Sequence, residues 1–222
     1  LCLSYSGQCL LSSMIGGRSG NRGKCAQPCR LPYKVNGIDN NFKYLMSPKD
    51  LCGLEFIPDL IDAGVSCFKI EGRMKKPEYV ATVTRIYRKY IDKYLNKENY
   101  VIDKKDMNDL LQVFNRGGFS SGHLQNSPNT DFVYPEKPNN AGIYIGNISN
   151  YSSNKGYVSF TLHDSISIGD VVSFDNDHKK YTVSELMRNE KNVETANKDD
   201  KIIIGRMKGK ISLGSKIYKL TS

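Results

Sequence analysis

The chain has 222 residues, with 32 Lys plus Arg against 23 Asp plus Glu, for a formal net charge of +9. No apolar run approaches the ~18 residues a membrane helix needs, and no basic-then-apolar leader opens the chain, so a cytoplasmic protein with no membrane partner is expected. Six cysteines could form a disulfide framework, but they crowd into residues 2–67 of a chain too long to need staples, which excludes the small secreted class.

Leu1 begins in the middle of an apolar–polar run, and a metal-ligand candidate stands at position 2, so the sequence reads as the C-terminal part of a larger protein. Residues 9–15 suggest a short helix or strand end. Residues 16–30, GGRSGNRGKCAQPCR, form a loop rich in Gly, Arg and Cys. Leu31–Val35 and Lys43–Met46 alternate as strands do, with Asn36-Gly37 as their turn. Ser47-Pro48-Lys49-Asp50 has helix-start chemistry, which predicts a helix over Leu51–Ala63, broken at Pro58 and ended by Gly64. Val65–Ile70 predicts a short buried strand that delivers Glu71-Gly72-Arg73 at its C-terminal end.

Pro77 opens a long helix, and Val80, Val83, Tyr87, Tyr90, Ile91 and Tyr94 follow helical spacing, as a core-facing stripe does. Asp103 and Asp106 begin another helix, expected to run to Gly117-Gly118. Helix, strand, polar loop, helix is α/β grammar. Polar residues with Pro128, Pro135 and Pro138 then predict a linker over 126–140. Beyond it, short strands are expected at 141–149, 156–162, 170–174, 180–187, 201–207 and 215–220, the pattern of a small all-β barrel. Within it, Ile166-Ser167-Ile168-Gly169-Asp170-Val171-Val172 echoes Ile211-Ser212-Leu213-Gly214-Ser215-Lys216-Ile217. These Gly-turn-strand echoes resemble the second domain of translation elongation factors.

Cys2, Cys9, Cys25 and Cys29 lie within 28 residues, a spacing that suits zinc and an iron–sulfur cluster equally, with scattered structural thiols as the alternative. Cys52 and Cys67, among apolar neighbours, read as small core residues. The charge excess suits a polyanion such as nucleic acid, or simply a basic surface. Arg18, Arg22 and Arg30 share the cysteine loop and are the candidate RNA contacts. Glu71 could accept a proton or orient a substrate, or form a buried salt bridge with Arg73 or Lys69. Arg73 could clamp a carboxylate or phosphate. Asn115-Arg116-Gly117-Gly118 could bind an anion, although a plain helix C-cap explains it as well. Gly118-Phe119-Ser120-Ser121-Gly122 matches the G-x-S-x-G elbow of serine hydrolases, but the elbow needs a strand before its Ser and a helix after it, and neither is predicted here.

LCLSYSGQCLLS, NRGKCAQPCR, YLMSPKDLC and KIEGRMKKPEYVATV resemble the U-32 peptidase family, or collagenase-like proteases, and FNRGGFSSGHL and NNAGIYIGNI extend the resemblance to about residue 150. The resemblance implies that residues 1–125 are the C-terminal portion of a TIM-like α/β barrel, followed by the small β-barrel over 141–222. It implies a [4Fe–4S] cluster on Cys2, Cys9, Cys25 and Cys29. It is closest to the branch that forms 5-hydroxyuridine in tRNA without O₂, with prephenate as oxygen donor and a paralogous U-32 family subunit as partner. Other members hydroxylate a ribosomal cytidine or the ubiquinone ring, or carry the collagenase name. Proteolysis is thus the alternative activity, and a non-catalytic RNA-binding partner the third reading.

Overall fold

The computed structural model describes residues 2, 8–37, 43–72, 75–124, 132–175, 177–209 and 211–220. The chain divides into two compact units, Leu1–Ala141 and Gly142–Ser222.

The first unit opens with helix α1 (Leu11–Gly16), followed by two single-turn 3₁₀ segments at Gly20–Arg22 and Pro28–Arg30. The hairpin expected at 31–46 is absent from its described residues. Asn36-Gly37 does turn, but among the described residues one backbone bond, Tyr33 N–H to Lys43 O at 2.6 Å, joins the two arms. Two short arms with no third strand beside them gain too little to form a ladder.

The Ser47-Pro48-Lys49-Asp50 start signal also fails. Pro48 bridges antiparallel to Val133, and strand β1 (Asp50–Leu51) pairs in parallel with β2 (Phe119–Ser120). Helix begins only after a 3₁₀ turn at Leu54–Phe56, as α2 (Ile57–Asp62). Pro58 sits in the first turn of α2, where its missing N–H costs nothing, so it starts the helix rather than breaking it. Residues 65–70 form no strand, and Val65 and Cys67 are exposed. The core reading of Cys67 is therefore corrected.

The long helix is as expected: α3 spans Pro77–Leu95 and buries Val83, Ile86 and Tyr90. These pack with Leu54, Ile57 and Leu110, the last from α4 (Lys104–Val113). Asp103 holds the N-cap position of α4. The Tyr90 hydroxyl accepts from Asp103 N–H at 2.7 Å and donates to Asp106 Oδ2 at 2.9 Å, tying α3 to the start of α4. The expected linker is described from Phe132 onward, and there it is strapped to its own unit. Lys49 N–H donates to Phe132 O, Tyr134 N–H to Ser47 O and Ala141 N–H to Asn115 O. Polar, Pro-containing chain can be held by backbone bonds as firmly as apolar chain is by burial. Among the described residues of this unit, the parallel pair β1–β2 is the α/β feature present; helices dominate the rest.

The second unit contains β3 (Ile143–Ser152), β4 (Tyr157–Thr161), β5 (Ile166–Ser167), β6 (Val171–Phe174), β7 (Asp177–Thr182), β8 (Leu186–Arg188), β9 (Lys191–Asn192), β10 (Thr195–Ala196), β11 (Lys201–Ile204) and β12 (Lys216–Leu220). Eight of them form one antiparallel sheet in the order β7-β6-β12-β3-β4-β11-β8-β9, and β5 pairs with β10. Period-two alternation sends Val158, Phe160, Ile202 and Ile204 inward to a core shared with Ile145, Ile148, Phe174 and Ile217. Register shifts at Ile148/Asn150, Ser173/Phe174 and Ile217/Tyr218 curl the sheet. Its end strands β7 and β9 do not pair with one another among the described residues, so the expected barrel is a curled sheet. In both echoed segments the glycine takes a left-handed turn into a strand, Gly169 (φ +92°) before β6 and Gly214 (φ +78°) before β12, and those strands are neighbours. No described helix is long and apolar enough to cross a membrane.

Candidate functional site

The site is a cavity of about 970 Å³ in the first unit. Cys2, Cys25, Cys29 and Cys52 line it, together with the charged residues Arg30, Asp50, Lys69, Glu71, Lys75 and Arg116.

Local bonds shape the cysteine loop. Ser12, buried on α1, accepts from Ala26 N–H at 3.0 Å through its Oγ. Gln27, at φ +55°, donates its N–H to Cys25 Sγ at 3.3 Å and redirects the chain into the turn holding Cys29 and Arg30. Arg30 then anchors the loop, donating to Ser47 Oγ at 2.7 Å and to Pro48 O. Cys29 is half-buried, and burial pushes its thiol pKa up; Arg30 opposes this, while Cys2, Cys25 and Cys9 add to it. Three thiols thus act on Cys29, although Cys9 is not part of the cavity wall.

Among the described residues, no three Cys, His, Asp or Glu side chains converge closely enough to hold one metal ion. Zinc needs such convergence, since it draws each sulfur to about 2.3 Å. A four-iron cluster bound by four cysteines takes one thiolate per iron, so its ligands stand further apart. The thiols of Cys2, Cys25 and Cys29 on one cavity wall, with Cys9 acting on Cys29, are the donor chemistry that an iron–sulfur cluster takes.

The opposite wall comes from the turn after α4. Asn115 is buried and organises it: its N–H donates to Asn140 Oδ1 at 3.0 Å, its Nδ2 to Leu111 O at 2.8 Å, and its Oδ1 accepts from Gly118 N–H at 2.9 Å. Gly117, at φ +76°, lies so close to the Tyr134 ring that no side chain fits there. Arg116 is thus aimed inward, donating from Nε to Pro138 O at 3.0 Å and from Nη1 to Asp50 Oδ1 at 2.7 Å. Asp50 Oδ2 is buried and has no hydrogen-bond partner. The Lys75 ammonium lies over the Phe114 ring and 5.6 Å from the centre of Tyr79. Desolvation first, then Arg116 and Arg30, lower the Lys75 pKa to about 8, with Asp50 opposing.

The residues singled out from sequence separate here. Cys2, Cys25, Cys29, Arg30 and Glu71 meet at the cavity, Glu71 from an exposed position. Arg18 and Arg22 are exposed on the loop, Arg18 donating to Lys24 O at 3.0 Å. Arg73 lies outside the described residues. Lys75, in a basic cluster with Arg73 and Lys76, was given no role of its own, and Arg116 was passed over as helix-end chemistry. Cys52 packs against the core as expected and also faces the cavity; burial pushes its thiol pKa up, with Tyr87 opposing. Ser120 lies at the end of a two-residue strand, and turn rather than helix follows it. Its Oγ accepts from Gly122 N–H at 3.0 Å, while the His123 ring packs on Phe132. The elbow geometry of a serine hydrolase is not built.

The family model described as peptidase family U32 matches residues 1–133, more than half of the chain. The chain belongs to peptidase family U32. Its U32 relatives carry two kinds of name. It is 34% identical over 236 residues to an uncharacterized protease of Methanocaldococcus jannaschii, covering 99% of this chain and 57% of that protein. It is 35% identical over 232 residues to a collagenase of Porphyromonas gingivalis, covering 99% and 56%. It is 34% identical over 187 residues to tRNA hydroxylation protein P1 of Bacillus subtilis, covering 78% and 44%. The chain spans about half the length of these curated U32 relatives.

Proposed function

We propose that this chain is part of a cytoplasmic iron–sulfur enzyme that hydroxylates tRNA without O₂, forming 5-hydroxyuridine with prephenate as oxygen donor. The observation that carries the reading is the meeting of Cys2, Cys25 and Cys29, coupled to Cys9, with a basic cavity wall. The relative named for tRNA hydroxylation supports the same choice. Cys2, Cys9, Cys25 and Cys29 would hold a [4Fe–4S] cluster, which when bound supplies one-electron chemistry. Exposed Arg18 and Arg22 would meet RNA phosphates, and Arg30 joins them from the cavity edge. Glu71 would orient substrate or accept a proton, and Arg73 would clamp the donor's carboxylate. A paralogous U32 subunit is the proposed protein partner.

Mass spectrometry of tRNA nucleosides from a deletion strain, grown without oxygen, tests this. One uridine position should lose its hydroxyl. Wild-type protein should restore it and the Cys25→Ser form should not. Fully hydroxylated tRNA in a deletion strain with no second pathway overturns the proposal. Proteolysis is the second reading, favoured by the collagenase-named relative. The turn-bound Ser120 gives it no nucleophile of the elbow type.

A further inference from the structure

The charges on the cavity wall do not balance pairwise. Four cations, Arg30, Lys69, Lys75 and Arg116, line it against two carboxylates, Asp50 and Glu71. Asp50 is taken by Arg116 at 2.7 Å. Arg30 is spent partly on neutral acceptors, Ser47 Oγ and Pro48 O. Among the described residues Lys75 forms no ion pair, and aromatic rings are what its ammonium meets.

We propose that Lys75, Arg116 and Arg30 form an oxyanion subsite, which seats a carboxylate or phosphate group beside the cysteine loop. The subsite deepens the hydroxylase reading and rests on it for its biological ligand: either the acidic oxygen donor or a nucleotide phosphate presents this chemistry.

The field at Lys75 supports the assignment. Burial is the first cause of the lowered proton affinity of Nζ, and Arg116 with Arg30 adds to it against Asp50. A partly desolvated cation among cations destabilises the fold, and an arriving anion relieves it. Arg116 holds Asp50 with one nitrogen and Pro138 O with another, which fixes its guanidinium plane before any ligand arrives. Pre-fixed forks bind planar oxyanions with little loss of entropy. The volume, about 970 Å³, accommodates a ligand as large as a mononucleotide.

The test is titration calorimetry on the anaerobically purified full-length protein, using succinate, inorganic phosphate, uridine 5′-monophosphate and uridine as probes. At least one of the three anions should bind, and uridine should bind more weakly than its phosphate. Succinate ahead of phosphate identifies a carboxylate source; the mononucleotide ahead of both identifies a nucleotide phosphate. Lys75→Met should weaken the best anion by at least about tenfold, the loss of a charge-assisted contact. The same substitution should leave the melting temperature unchanged or higher, so lost binding is not lost folding. Arg116→Gln, a second variant, should weaken the same probe. Absence of binding by all three anions at millimolar concentration, or undiminished binding in Lys75→Met, overturns the subsite. Unaltered tRNA in the deletion strain removes the hydroxylase reading alone and leaves the calorimetry standing.

Discussion

Arg116 Nη1 donates to Asp50 Oδ1 at 2.7 Å across 66 residues of sequence, with both side chains less than a fifth exposed. The pair locks the turn after α4 to strand β1, and so holds one cavity wall. Removing Arg116 leaves a largely buried carboxylate with neither oxygen paired. Arg116→Met should cost about 1–3 kcal/mol in urea unfolding. Asp50→Asn, which keeps an acceptor for Arg116, should cost less. A double-mutant cycle should show coupling between the two positions; strict additivity would mean that the pair holds nothing.

Lys75 supplies a pH dependence with a defined sign. Its folded pKa, about 8, lies below the ordinary lysine value of 10.5, so its charge opposes folding. That penalty is fully present below about 8 and vanishes as pH rises through 10.5. Lys75→Met should therefore melt higher than wild type at pH 7, with the difference shrinking above pH 8. A variant that melts lower at neutral pH contradicts the charge environment described for Lys75.

Anaerobically purified full-length protein should be brown, with about four iron and four sulfide per chain. Ser in place of Cys2, Cys9, Cys25 or Cys29 should bleach it, because a hydroxyl is a poor ligand to such iron. Cys67→Ser should keep the colour, as should Cys52→Ser despite its place on the cavity wall. Stoichiometric zinc in protein never exposed to air would count decisively against the cluster.

Binding to tRNA should weaken steeply with salt, since phosphate contacts release counterions. Replacing exposed Arg18 and Arg22 by Ala should flatten that slope without changing nucleoside preference. An unchanged slope would make the loop's charge a matter of solubility.

Gelatin cleavage should be absent, or unaltered by Ser120→Ala. A clean loss of cleavage in that variant would revive the peptidase reading in spite of the turn that holds Ser120.

Strong local periodicity was legible before any coordinates. The stripe through α3 predicted buried Val83 and Tyr90, although Val80 on the same stripe is exposed. Short motifs were less reliable. Ser47-Pro48-Lys49-Asp50 has every local mark of a helix start, yet Asp50 is drawn into a strand by pairing with Phe119, and Ser47 becomes an acceptor for Arg30. Cap chemistry is worth about 1 kcal/mol, less than the cost of leaving the Arg116 partner of a largely buried carboxylate unpaired. Val65–Ile70 looked like a buried strand because its residues are apolar, but no neighbouring strand pairs with it among the described residues.

Sequence alone determined the family and the two echoed glycine turns, because these depend on residue identity and short-range spacing. Tertiary structure decided which charges share a cavity. Lys75, Asp50 and Arg116 come from three segments, and nothing in their local patterns says that the three meet. A charge takes its chemical character from what surrounds it, and those surroundings exist only once distant segments have packed together.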